Sequence, residues 1–319
     1  MVRLTRRCTF ILRPKAPYSF ELTVRKPAGW NLFTPSEIYE GGALSTALHI
    51  DGRLVGLKLV SGGDTDSPRI LATAVLEREP EPSLKRNLRR SLEDMLGTNE
   101  DLGGFYAMAR RDSILRHTID DLRGMHDTHP SDVFGSAILA VCLQMAPIKR
   151  SEAMMACIMA RYGEEAEFEG ERVRAWPLPG TISRLMPEEL ARVCRLGYRA
   201  RRIVELANAL LDGGFPTMEE LARLPPEEAK EKLMELPGIG NYSADIVSPK
   251  AGFPIDVWSA DVFGKLFYGK EPEDARAAVE TIKAEGIRRW GKWSWMAFFY
   301  IAQDLENLSR KLGVQLRLQ

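Results

Sequence analysis

Two glycines one residue apart, set between two helix-patterned segments, limit what this chain can fold into more than any other feature. The string runs Leu233-Met234-Glu235-Leu236-Pro237-Gly238-Ile239-Gly240-Asn241-Tyr242-Ser243-Ala244-Asp245-Ile246-Val247. An amphipathic segment stops at Pro237, the glycines permit a tight turn with positive φ, and a second apolar-patterned segment starts at once. Ile239, flanked by the glycines, is placed to plug the gap between the two helices. Such a turn leaves the first N–H groups of the second helix unpaired and aimed outward, which suits a phosphate oxygen. A plain helical hairpin with a glycine C-cap would use the same letters.

On the N-terminal side of this turn the chain changes character. Short alternating or β-branched runs at residues 8–12, 19–24, 47–50, 54–60 and 70–76 are separated by turn signals at 27–29, 51–52 and 62–68. Asp51-Gly52 between two apolar runs is the clearest hairpin signal. A Pro-rich break at 79–83 leads into a first helix at 84–96. From Phe105 onward the period is helical, over 133–145, 152–162, 187–194, 200–211, 217–224, 226–236 and 293–308. The expected fold is therefore mainly α with an N-terminal antiparallel β domain (α+β): residues 1–90 as the sheet and 91–319 as an all-α core. No strand precedes a glycine-rich turn and no Walker-type loop occurs, so an α/β dinucleotide fold is excluded. A length of 319 residues gives room for two domains without a disulfide or metal staple.

Lys+Arg and Asp+Glu balance at 44 each, so any surface for a polyanion must be local. Cys8, Cys142, Cys157 and Cys194 form no C-x-x-C pair, a pattern that fits reduced intracellular thiols rather than a disulfide framework or zinc site. No apolar stretch approaches the ~20 residues of a membrane span, and the opening residues lack a signal-type apolar region. An intracellular protein without a membrane partner is expected.

Past the second helix comes Ala251-Gly252-Phe253-Pro254-Ile255-Asp256-Val257-Trp258-Ser259-Ala260-Asp261-Val262-Phe263. Pro254 breaks the chain, and Asp256 is placed to N-cap a helix reaching about residue 266. Capping alone would account for an Asp in this position. Taken together, however, the Leu-Pro-Gly-Ile-Gly string resembles the helix-hairpin-helix element of DNA-repair proteins. Hairpin, Gly/Pro loop and a single Asp at a helix start resemble the HhH-GPD superfamily of base-excision DNA glycosylases. Leu196-Gly197-Tyr198-Arg199-Ala200-Arg201-Arg202-Ile203 is similar to a helix of its 8-oxoguanine and 3-methyladenine branches, and 101–111 and 132–163 look like the opening helices of its core. The likeness spans roughly 105–308, and more weakly a small β domain over 18–76.

The resemblance implies a flipped-out nucleotide whose glycosidic bond breaks through an oxocarbenium-like sugar. Asp256 would be the catalytic carboxylate that stabilises this cation and orients or deprotonates water. Three departures from the family pattern matter. The position of the nucleophilic lysine of bifunctional members is Tyr242, which implies a monofunctional enzyme with water as nucleophile. Asp256 lies 14 residues after Tyr242, about one helical turn short of the usual interval. Asp261 is nearer that spacing, but Pro-Ile-Asp-Val-Trp follows the family's Pro-Val-Asp-Val pattern and favours Asp256, while Lys250 in the short loop is an alternative nucleophile. Finally, no cysteine follows Cys194, so no iron–sulfur cluster is expected. No metal or other cofactor is expected, apart from a candidate monovalent cation at the hairpin turn.

Base flipping needs apolar walls and a wedge. Tyr242, Trp258, Trp293 and Trp295 are the pocket candidates, with Trp290, Phe298, Phe299 and Tyr300 nearby and most of these rings expected in the core. Gln144 and Met145 fall at a helix end where relatives place wedge and gap-filling residues, though an ordinary helix-end pair would look the same. Lys149, Arg150 and Arg199, together with Gly238, Ile239, Gly240 and Asn241, are the expected DNA contacts. Further basic residues stand at Arg201, Arg202, Lys283, Arg288, Arg289 and Lys292. The expected activity is monofunctional excision of an alkylated purine from double-stranded DNA by a monomer, in the nucleoid or a nucleus. A glycosylase for a deaminated or oxidised base, such as hypoxanthine or 8-oxoguanine, and a non-catalytic DNA-binding hairpin protein are the alternatives. Asp256 separates the last from the others, because a carboxylate facing DNA only repels phosphate in a pure binder.

Overall fold

Asp51 and Gly52 both take positive φ, 49° and 70°, and fold the chain back between two antiparallel strands. The computed structural model describes residues 1–25, 27, 37–128, 132–213, 215–248 and 252–316. Its N-terminal part comprises β1 (Val2–Arg3), β2 (Arg6–Leu12), α1 (Phe20–Arg25), β3 (Ile38–Glu40), β4 (Ala43–Ile50), β5 (Arg53–Ser61), β6 (Ile70–Leu76) and α2 (Pro82–Met95). There follow α3 (Gly103–Ala109), α4 (Val133–Leu143), α5 (Ile148–Tyr162), β7 (Glu164–Phe168), β8 (Glu171–Ala175), α6 (Pro179–Ile182), α7 (Pro187–Cys194) and α8 (Arg199–Leu211). The chain continues through α9 (Met218–Arg223), α10 (Pro226–Met234), α11 (Asn241–Val247), α12 (Val257–Tyr268), α13 (Ala275–Trp290), α14 (Ser294–Gln303) and α15 (Leu305–Leu312).

Strands β2-β6-β5-β4-β3, in that order, form one antiparallel sheet, as the alternation predicted. One face packs on α2 through Leu84, Leu88 and Leu92. The other is covered at one end by a second sheet, β1-β7-β8, which the expectation of an all-α region after residue 91 missed. Glu169 and Gly170 turn this hairpin with φ of 51° and 85°. Phe168 lies so close to β5 that a Cβ on Gly56 would sit 2.3 Å from its ring. β1 pairs in parallel with β7, so the first residues of the chain belong to this second sheet.

Other expectations need correction. The strand expected over 19–24 is instead helix α1, Phe20–Arg25, because Phe20, Thr23 and Val24 bury at helical spacing. The predicted helix over 293–308 breaks at Asp304, whose φ and ψ of −117° and 17° end α14 and start α15. Helix α13, 16 residues long, was not anticipated. Nor are all four cysteines free: packing of α5 against α7 joins Cys157 to Cys194 in a disulfide, Cα atoms 5.4 Å apart, leaving Cys8 and Cys142 as thiols.

The helical part buries two apolar clusters. One gathers α4, α5, α7, α8, α10 and α11. The other gathers α3 and α12 to α15 with Phe253 and Ile255. The glycine hairpin belongs to the first cluster and Asp256 to the edge of the second, so the segment between them bridges the two. Among the described residues no helix is long and apolar enough to cross a membrane.

Candidate active site and duplex-binding face

Asp256 is the N-cap of α12, as the sequence predicts, in a reciprocal arrangement with Ser259. The Ser259 N–H and Oγ–H both donate to Asp256 Oδ1, at 2.8 and 2.7 Å, and the Asp256 N–H donates to Ser259 Oγ at 2.9 Å. Oδ2 has no hydrogen-bond partner among the described residues, and the side chain is only half-buried. The carboxylate is thus oriented through one oxygen and presents the other. Asp261 lies within α12, one turn past its start. Lys250 lies outside the described residues.

Tyr242, in the first turn of α11, sits close enough to Asp256 to feel its charge. Burial first, and that negative charge second, push its hydroxyl well above the ordinary phenol range, so it stays protonated. Trp258 is half-buried, and its indole Nε1 is inaccessible to solvent and has no hydrogen-bond partner among the described residues. Trp295 donates from Nε1 to Asp127 Oδ2 at 2.5 Å and stacks on Phe298, ring centroids 6.2 Å apart. Trp293 packs over α3, where a Cβ on Gly104 would sit 3.1 Å from its ring, and Lys292 Nζ lies 5.1 Å from its centroid. Trp290, Phe299 and Tyr300 are buried, and Phe298 lies within 6 Å of Phe253 and Phe263. These last four are core.

At the hairpin, Gly238 has φ of 80° and faces α8 so closely that a Cβ would lie 2.9 Å from Arg202 Cβ. Gly240 is exposed, has ordinary φ, and borders open space. Ile239 is buried among the helices, as expected of a plug. The first helical bond of α11 runs from the Ala244 N–H to the Gly240 carbonyl at 2.8 Å, so the amides of Asn241 and Tyr242 lie outside the ladder and Asn241 is exposed. At the turn the Gly238 carbonyl accepts from Gln144 and the Leu236 carbonyl from the Ile239 N–H, which leaves each oxygen a second lone pair.

Gln144 ends α4 and is fully engaged with this hairpin. Its Nε2 donates to the Gly238 carbonyl and Ser243 Oγ, both at 2.8 Å, and its Oε1 accepts from Arg202 at 2.7 Å. It braces the turn rather than projecting from it. Met145, next in the chain, takes φ of 46° and is 67% exposed. Lys149 and Arg150 follow in the first turn of α5, exposed and without ion pairs among the described residues. Arg199 departs from its expected role as a phosphate contact. It is 3% exposed and donates to the Gln144 carbonyl, holding the loop from behind. Arg201, Lys283, Arg288 and Arg289 are likewise committed, to Glu205, Asp245, Glu285 and Asp112.

No protein-family profile matches the chain. It is similar to the DNA-3-methyladenine glycosylase of Bacillus subtilis, 21% identical over 222 residues that make up 68% of this chain and 72% of that protein. It is also similar to DNA-3-methyladenine glycosylase 2 of Escherichia coli, 25% identical over 174 residues, 53% of this chain and 57% of that protein. Among solved structures, the 3-methyladenine DNA-glycosylase from Archaeoglobus fulgidus matches with a TM-score of 0.74 at 22% identity, covering 96% of this chain and 99% of that one. The chain has the fold of these DNA glycosylases. The apo 8-oxoguanine glycosylase/lyase of Clostridium acetobutylicum shares the fold at a TM-score of 0.70 and 16% identity, over 92% of this chain and 95% of that one.

Within the glycosylase fold, two features escaped the sequence expectations. Ser259 was legible, because Asp-x-x-Ser at a helix start is a capping pattern. The other is a buried ionic cluster in which Asp245 of α11 binds Lys230 of α10, at 2.8 Å, and Lys283 of α13. Nothing local to the three residues signals it.

Proposed function

We propose that this protein is a monofunctional DNA glycosylase that extrudes an alkylated purine from double-stranded DNA and hydrolyses its N-glycosidic bond. The observation that carries this is the Asp256 carboxylate, fixed through Oδ1 by Ser259 and open at Oδ2. As the C1′–N bond breaks, its electron pair leaves with the base, and an alkylpurine cation departs neutral. The sugar left behind is oxocarbenium-like, and an adjacent carboxylate lowers the barrier to it electrostatically. Water then adds at C1′, and Oδ2 accepts its proton.

Tyr242 stands beside this carboxylate as a neutral phenol, able to donate a hydrogen bond but unable to form an imine. Trp258 and Trp295 are the ring walls we assign to the extruded base. Gly240 and the amides of Asn241 and Tyr242, outside the helical ladder, take the phosphate, with Lys149 and Arg150 adding contacts beside Met145, the exposed residue that would enter the duplex. Because total charge is balanced, DNA affinity rests on these local groups. The reaction as written needs no cofactor and a single chain, acting where the genome is. Both curated relatives named above are 3-methyladenine glycosylases, which favours alkylated over oxidised bases. The test is a panel of single-lesion duplexes, each assayed for base release with and without alkali. Release of 3-methyladenine or 7-methylguanine, with strand breaks only after alkali, is expected. Release of 8-oxoguanine alone would overturn the substrate class.

A further inference from the structure

Helix α13 touches the segment between the hairpin and Asp256 at both ends, and with one face. Lys283 and Gly286 are three residues apart and so lie on the same side of α13. The Lys283 ammonium pairs with Asp245 Oδ2, and Asp245 is almost fully buried in α11, three residues after Tyr242 and on the same helix side. Gly286 meets Phe253, three residues before Asp256. A Cβ there would lie 2.3 Å from the ring, and Phe253 is fully buried. Between these anchors the chain folds back on the first: a Cβ on Gly252 would sit 3.4 Å from Asp245 Oδ1. Lys230 supplies the second ammonium to the same carboxylate, so the hairpin's first helix joins the cluster.

We infer that the Lys283–Gly286 face of α13 is a positioning element that sets the separation between the hairpin and Asp256. The inference rests on Asp256 being the catalytic carboxylate. A buried carboxylate between two ammonium groups holds its geometry because losing one partner leaves an under-compensated charge. The glycine is needed because only a residue without a side chain lets α13 approach the phenyl ring this closely. Together they anchor the chain at Asp245 and at Phe253, on either side of the approach to Asp256, and a shift of about 1 Å at a reacting centre can cost a hundredfold in rate.

The experiment compares Lys283→Met, Lys283→Arg and Gly286→Ala on a duplex carrying the lesion that the wild-type protein excises. Single-turnover excision rate and Kd for the same duplex are measured for each. Lys283→Met is expected to lower the rate about ten- to a hundredfold with Kd changed less than twofold, and Lys283→Arg to recover most of the loss. Gly286→Ala should show the same split. If it fails to fold, the two Lys283 variants decide. A Lys283→Met protein that excises at the wild-type rate, or that loses rate and affinity in parallel, overturns the inference. If Asp256→Asn excises normally in the same assay, the assignment of the carboxylate fails instead, and the positioning role falls with it.

Discussion

Ser259 occupies one carboxylate oxygen of Asp256 with two hydrogen bonds and leaves the other open. Asp256→Asn removes the charge at almost constant volume. Excision should fall by about 10²–10⁴ while duplex Kd stays nearly unchanged, as electrostatic and proton-transfer roles together require. Asp261→Asn, within α12, should excise normally. The opposite ranking of the two variants, read in single-turnover assays, would move the catalytic role to Asp261.

The two hairpin glycines should fail in different ways. Gly238→Ala places a side chain at positive φ and against Arg202, so a stability loss of about 1–2 kcal/mol is expected from the backbone alone, seen as a lower Tm. Gly240→Ala meets no atom and keeps an ordinary φ. Its Tm should match the wild type while its affinity for undamaged and damaged duplex drops together, since a phosphate contact carries no base information. A Gly240→Ala protein that binds both duplexes normally would remove the phosphate from this turn.

What local pattern determines was legible in the sequence, and what long-range packing determines was not. Residues 70–76 and 187–194 form their elements as read, and the Asp51-Gly52 turn follows from the residues that tolerate positive φ. The N-cap at Asp256 is equally local. Strand β7-β8 alternates clearly through Ala166, Phe168, Val173 and Ala175, but its charged partners and helical surroundings hid a period of two. The run at 19–24 is too short to separate that period from 3.6. Gln144 shows the harder limit: its spacing after an apolar helix marks a helix end, whereas its bonds to Gly238 and Ser243 depend on residues about a hundred positions away. Arg199, Lys283 and the Cys157–Cys194 pair are of the same kind.

Asp304 should make stability depend on pH. Burial chiefly, with the nearby Asp121 charge, pushes its carboxyl up to about 6 against the amide of Asn307. Between about pH 4, where the unfolded carboxyl loses its proton, and pH 6 the folded state binds more protons, so stability falls as pH rises through that window. Asp304→Asn should therefore raise Tm at pH 7 and match the wild type near pH 4. A Tm difference that stays constant from pH 4 to 8 would assign the effect to packing instead.

The disulfide is open to a direct check. Cys157 and Cys194 close a loop between residues 37 apart, for which a stabilisation of about 2–4 kcal/mol is typical. Thermal melts with and without reductant should differ accordingly, and Cys157→Ser should melt like the reduced protein. Without reductant, thiol labelling of the native protein should modify Cys8 first. Cys142 should lag, since it is buried and its thiol is pushed up to about 12. Rapid labelling of Cys157 in protein never exposed to reductant would exclude the bridge.

Tyr242 decides the class of mechanism. Its hydroxyl is held in the neutral form by burial and by Asp256, and a phenol has no amine with which to attack C1′. Excision should leave an intact abasic site that breaks only with alkali or heat, and borohydride should trap no covalent enzyme–DNA adduct. Tyr242→Phe should remain untrapped, since water is the nucleophile in either case. Lys250 is the residue whose place in the sequence allows the opposite outcome. Efficient borohydride trapping by the wild-type protein that disappears in Lys250→Gln would show that the loop lysine forms the Schiff base, and that the enzyme both removes the base and cuts the strand.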